Sequence, residues 1–169
     1  MVLNRPDVAC KNSLTHGENM DYSNILVPVD GSEDAKSACQ VAAQLTGAIP
    51  GKETIHLLYC VESIPSLIGG EQRAMLMQKH EEEGMKIFSD VSSLFDEINI
   101  TIKTYVKYGS IAESIVRTAS ELGCTMIIMG TRGKSELKSI VIGSVSHDVL
   151  RNASMPVLLV NKKHMITDN

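Results

Sequence analysis

The sequence predicts an α/β domain built on a doubly wound, five-stranded parallel sheet in the order 3-2-1-4-5. Three observations lead there. Five short apolar runs alternate with stretches of helical periodicity. Most of those runs are continuously apolar, as strands covered on both faces are. The length of 169 residues suits one domain with a substantial core and is short for two.

The first run, 24–29 (NILVPV), ends at the turn Asp30-Gly31-Ser32. Ser32 is placed to cap a helix over 33–45, and Glu33 and Asp34 suit the positive end of its dipole. The second run is 54–61 (TIHLLYCV). A loop over 63–70 leads into a long helical stretch, about 71–97, with Phe88, Val91, Phe95 and Ile98 as its buried stripe. Glu81-Glu82-Glu83 forms its solvated face, Met75 and Met77 read as packing residues, and Gly84 marks a bend or break.

The third run, 98–108, alternates instead, which suits the edge of a sheet. Ser110-Ile111-Ala112-Glu113 has the form of a capping box opening a helix that buries Ile111, Ile115, Ala119 and Leu122. Gly123 is placed to end it. The fourth run is 125–129 (TMIIM), a last helix covers 144–152, and the fifth run is 156–160 (PVLLV). Residues 1–20 read as a flexible polar extension without a signal-peptide centre, 21–163 as the domain, and 164–169 as a tail.

Composition narrows the partners. A net charge of −4, scarce aromatics and no Trp argue against a surface built for nucleic acid. No apolar run is long enough to span a membrane. Cys10, Cys39, Cys60 and Cys124 have no CxxC spacing and read as reduced thiols of a cytoplasmic protein. The histidines show no metal-ligand spacing, and His147-Asp148 reads as a local pair on an exposed helix face.

The carboxyl end of the fourth run carries the most specific signal, Gly130-Thr131-Arg132-Gly133-Lys134-Ser135. Gly133-Lys134-Ser135 invites a P-loop reading, but the first glycine of that motif would fall on Ile128. What stands there is G-x2-G-x9-G-S, ending at Gly143-Ser144 where a helix begins. Gly130 and Gly133 let backbone N–H groups approach a phosphate and adopt positive φ. Gly143 and Ser144 open a helix whose free N–H groups favour an anion. Ser144 and Ser146 add hydroxyl donors, and Arg132, Lys134 and Lys138 add positive charge. Turn-forming glycines and an ordinary cap fit the spacing as well. Asp30, at the end of the first run, suits ribose hydroxyls or a metal held through phosphates, and equally a plain turn.

NILVPVDGSE at 24–33, MIIMGTRGKSELKSIVIGSVS at 126–146 and PVLLV at 156–160 resemble the universal stress protein family across 22–162. The intact glycine motif resembles that of the family's ATP-binding branch. The resemblance implies an adenine nucleotide alpha hydrolase-like fold and a pocket assigned by position. Pro28, Val29 and Asp30 would contact adenine and ribose, and Cys60 and Met129 would line the base site. Gly130, Gly133, Gly143, Ser144, Val145 and Ser146 would bind ribose and phosphate, with Arg132 as a helper at a variable position. The implied ligand is ATP or AMP with Mg held at Asp30. The implied assembly is a homodimer through the fifth strand, whose apolar edge needs cover, beside an unidentified protein partner.

The leading functional reading is therefore an adenine-nucleotide-binding module of stress response or signalling. The alternative is a slow ATP-hydrolysing or phosphotransfer enzyme, although no base is identifiable near the expected γ-phosphate. A receiver domain fits poorly, because the strand ends at 108 and 129 carry no acidic cluster. A flavodoxin-like domain shares only the architecture.

Overall fold

The five strands form one parallel sheet in the order β3-β2-β1-β4-β5. The computed structural model describes residues 22–48, 53–133 and 142–162. The strands are β1 (Asn24–Pro28), β2 (Thr54–Val61), β3 (Thr101–Tyr108), β4 (Met126–Gly130) and β5 (Val157–Val160). The winding reverses at β1, which pairs with β2 on one side and β4 on the other. The residues 1–20, 164–169, Lys134 and Lys138 lie outside the described residues.

Alternate residues of the strands feed two cores. Ile25, Val27, Ile55, Leu57, Met126 and Ile128 pack against helices α1 (Glu33–Gly47) and α2 (Gly70–Ser92). Leu26, Leu58, Ile127 and Met129 pack against α3 (Ile111–Glu121) and α4 (Ser144–Asn152). Burial on both faces explains the apolar runs of β1 and β4 and that of β2, which only His56 interrupts. The edge strand β3 is half-covered: Ile102 and Val106 join the first core, while Tyr105 joins the second.

Ser32 caps α1 as expected, its hydroxyl accepting the Ala35 N–H at 3.2 Å. Ala38, Cys39, Ala42 and Ala43 are small enough to seat the helix close on the sheet. The helix runs two residues past the expected Leu45, to Gly47. Gly123 adopts φ +64, with its N–H on the Ser120 carbonyl and the Cys124 N–H on the Ala119 carbonyl. Those two bonds satisfy the last carbonyls of α3.

Four expectations need correction. The long helix stops at Ser92 and tightens into a 3-10 turn over Ser93–Phe95, so Ile98 reaches the core from beyond it. There the Ser92 hydroxyl bonds back to the Ser89 carbonyl, competing with the helical ladder. Gly84 does not break α2. A Cβ there would lie 3.0 Å from Tyr59 and Val106 side-chain atoms, so the glycine lets the helix lie close on the sheet. Ser110 makes no side-chain cap hydrogen bond, although its carbonyl accepts the Ser114 N–H at 2.9 Å. Met75, expected to pack, is 65% exposed.

Candidate functional site

A cleft of about 390 Å³ opens at the carboxyl edge of the sheet, where β1 and β4 diverge. This is the position at which doubly wound sheets hold ligands. Pro28, Val29, Asp30, Cys60, Met129, Gly130, Arg132, Gly133, Gly143, Ser144, Val145 and Ser146 all line it. Ala35, Leu58, Tyr59, Ile111 and Ile115 line it too, and sequence reasoning missed them. Ile111 was within reach, because it opens the helix that follows β3 at the same sheet edge.

One wall is apolar, formed by Leu58, Ile111, Ile115 and Met129. Beside it the β1–β2 ladder ends, with the Val29 N–H on the Leu58 carbonyl at 2.9 Å. The alternation of a parallel ladder turns the Cys60 backbone N–H and C=O to the same side, past the end of β1. A flat heterocycle against this wall would meet both a donor and an acceptor. Burial pushes the Cys60 thiol up to about 12 despite the opposing charge of Lys107. The side chain therefore acts as an apolar wall rather than a nucleophile.

The opposite wall is polar. Gly31, at φ +81, makes the turn that brings Asp30 Oδ1 onto the Ser32 N–H at 2.9 Å. The other carboxylate oxygen faces Gly133, where an added Cβ would lie 2.7 Å from it. Gly130 is equally confined: an added Cβ would meet Asp34 Cβ at 2.8 Å and the Asp34 carbonyl carbon at 2.9 Å. Neither Gly130 nor Gly133 is among the glycines with positive φ. The expectation of positive φ is thus corrected, and close approach is the reason for glycine at both positions.

The start of α4 completes this wall. Gly143 holds its own N–H on the Thr131 carbonyl at 2.8 Å. The backbone N–H groups of Ser144, Val145 and Ser146 fall in the first turn, where a helix has no internal acceptors for them. Ser146 is buried and its hydroxyl donates to the Gly130 carbonyl at 2.9 Å. That hydroxyl, expected as a donor to phosphate, is here engaged with the backbone.

Behind the polar wall lies a carboxylate that the sequence suggested only as a helix-dipole partner. Asp34, 6% exposed, accepts from the Thr131 hydroxyl at 2.9 Å and the Lys162 backbone N–H at 3.3 Å. It also holds Arg132 Nε at 3.4 Å. Arg132 therefore reaches the cleft already paired.

The sequence profile of the universal stress protein family matches residues 21–161. The chain belongs to that family. Universal stress protein MJ0531 of Methanocaldococcus jannaschii is 30% identical over 151 residues, covering 88% of this chain and 87% of the relative. Universal stress protein MJ0577 of the same organism is 31% identical, covering 85% and 97%. Among solved structures, that of MJ0577 superposes with a TM-score of 0.71 at 28% identity, over 83% of this chain and 96% of the other.

Elsewhere in this universal stress protein, Cys39 and Cys124 are free thiols, pushed up to about 12 and about 11 by burial. Tyr59, on the cleft wall, is pushed up to about 12 by burial and by its hydrogen bond to Glu83 of α2. Among the described residues no three His, Cys, Asp or Glu side chains gather into a metal site. Asp30 alone suits a Mg²⁺ ion that takes most of its oxygens from phosphates and water. No described helix is long and apolar enough to cross a membrane.

Proposed function

We propose that this universal stress protein binds an adenine nucleotide in the cleft and acts as a stress-response or signalling module. The observation that carries the reading is the cleft's two-sided chemistry. An apolar slot beside the Cys60 backbone suits adenine, and Asp30 suits the ribose hydroxyls or a phosphate-held Mg²⁺. The first turn of α4 and the Ser144 hydroxyl suit phosphate. Family members from other sources support it: one structure is of a universal stress protein with cAMP, and another is of the Archaeoglobus fulgidus protein with dAMP. ATP or AMP is the proposed ligand, and binding rather than turnover is the proposed role.

Isothermal titration with ATP and AMP, with and without Mg²⁺, tests the reading. Saturable binding that Asp30→Ala weakens at least about tenfold is expected, the scale of a lost charge-assisted contact. No heat and no competition at millimolar nucleotide would overturn it.

The reading extends to a homodimer through β5, to a further protein partner and to the cytoplasm. Leu158 on that edge strand is 37% exposed, and antiparallel pairing with a second β5 would cover both the side chain and the open backbone edge. Free Cys39, Cys60 and Cys124 suit a reducing compartment. Light scattering at micromolar concentration should give a dimer mass, and a monomer mass would remove the assembly from the reading.

A further inference from the structure

We propose that Asp34 is a specificity-determining residue of the cleft: by pairing with Arg132 it restrains how strongly the site responds to phosphate charge. The inference rests on reading the cleft as a nucleotide site. Among the described lining residues only Asp30 and Arg132 carry a full charge, and Arg132 is the cation of the two. Its Nε lies 3.4 Å from Asp34 Oδ2, and the Arg132 side chain is 27% exposed against 8% for Asp34. The carboxylate does not line the cleft; it acts on the ligand through Arg132.

The arrangement is fixed rather than incidental. Asp34 sits in the first turn of α1, pressed against Gly130, whose added Cβ would meet it at 2.8 Å. Thr131 binds the same carboxylate through its hydroxyl, the end of β5 through its N–H, and Gly143 through its carbonyl. The chain carrying Arg132 is therefore held on three sides, next to an anion taken out of water. In such surroundings the two charges largely cancel.

Among the described residues, what remains to attract phosphate on this wall is mainly the neutral N–H array of α4. Such an array suits one phosphate group and adds little for each further charge. An uncompensated guanidinium would do the opposite, pulling harder on each added phosphate. The Asp34–Arg132 pair thus narrows the preference between adenosine, AMP, ADP and ATP.

The test is a titration of the full-length protein with those four ligands, without Mg²⁺, at low and high salt. Asp34→Asn should tighten ATP roughly fivefold or more while adenosine moves less than about twofold, and high salt should shrink the gain. Arg132→Met, which leaves Asp34 uncompensated, should shift the ATP-to-adenosine ratio the other way. The double variant should return toward the wild-type ratio. A purely structural role would weaken all four ligands in parallel; that result, or an unchanged or lowered ATP preference in Asp34→Asn, overturns the proposal. Should Asp34→Asn fail to fold, Arg132→Met decides alone, and an unchanged ratio there overturns it. If the wild-type protein binds none of the four, the nucleotide reading fails and this inference with it. If it binds them and the ratios stay fixed, only this inference fails.

Discussion

His56 Nε2 and Asn24 Oδ1 lie 2.6 Å apart, and that contact sets which ring nitrogen of a buried histidine carries the hydrogen. The Asn24 amide nitrogen donates to the Leu122 and Gly123 carbonyls at 2.8 and 3.0 Å, so its oxygen is the acceptor. Nε2 must then carry the hydrogen. In the neutral ring the other nitrogen, 3.1 Å from the Tyr105 hydroxyl, accepts from it. Both nitrogens are satisfied in that neutral form, and burial disfavours the charged one. The network ties β1, β2, β3 and the end of α3 together, at the sheet edge opposite the cleft.

Acid should therefore loosen the fold. Burial, then the nearby Lys103 charge, lowers the His56 pKa from its ordinary value. With the folded pKa below the unfolded one, the unfolded chain takes up the proton first as pH falls. Stability contributed by neutral His56 is fully present above about pH 6.5 and declines as pH drops from there towards the folded value. Urea unfolding between pH 8 and 5 checks this. His56→Gln should flatten the pH dependence in that window, and an equal slope in both proteins would sink the assignment.

Gly84→Ala should destabilise the protein, against the ordinary preference of helices for alanine. Propensity alone favours alanine by about 1 kcal/mol. The new Cβ, however, would stand 3.0 Å from Tyr59 Cδ1 and Val106 Cγ2, a ring and a β-branched group with little room to give. Overpacking of that kind costs about 1–3 kcal/mol, so a net loss of about 1 kcal/mol is expected from denaturation midpoints. A gain in stability would show that α2 does not lie this close to the sheet.

Gly130 and Gly133 should respond differently to the same substitution. At Gly130 the added Cβ meets the Asp34 backbone carbon at 2.9 Å, so Gly130→Ala should cost stability, about 1–3 kcal/mol. At Gly133 it meets the Asp30 carboxylate oxygen, which can turn away. Gly133→Ala should leave the denaturation midpoint almost unchanged and weaken nucleotide binding about tenfold or more, as a displaced charged contact does. Equal effects of the two on stability would contradict the geometry.

These glycines show what the sequence could and could not convey. Their spacing marked them as site residues, because turns and close approaches both need glycine. It did not distinguish positive φ from missing space, since that depends on Asp34 and Asp30 arriving from another part of the chain. The strands were legible for a local reason: burial on both faces leaves apolar runs in β1 and β4, and one in β2 that only the hydrogen-bonded His56 interrupts. Asp34 was not legible as a structural hub. A first-turn acid looks the same whether solvated or buried beneath Thr131 and Arg132. Gly84 was misread on the same ground, its partners Tyr59 and Val106 being distant in sequence. The end of α2 was obscured because Phe95 and Ile98 continue the helical stripe after the helix has ended.

Cys60 should be slow to react and shielded by ligand. Its thiol, pushed up to about 12, holds only a trace of thiolate near neutral pH, and the side chain is half-buried on the cleft wall. In a Cys10→Ser background, alkylation should reach Cys60 before the more deeply buried Cys39 and Cys124, yet more slowly than a free thiol reacts. Saturating nucleotide should slow modification of Cys60 further and leave the other two unchanged. Mass spectrometry of timed iodoacetamide reactions gives the three rates separately. Protection spread evenly over all three cysteines would indicate a general tightening of the fold instead of a ligand seated against Cys60.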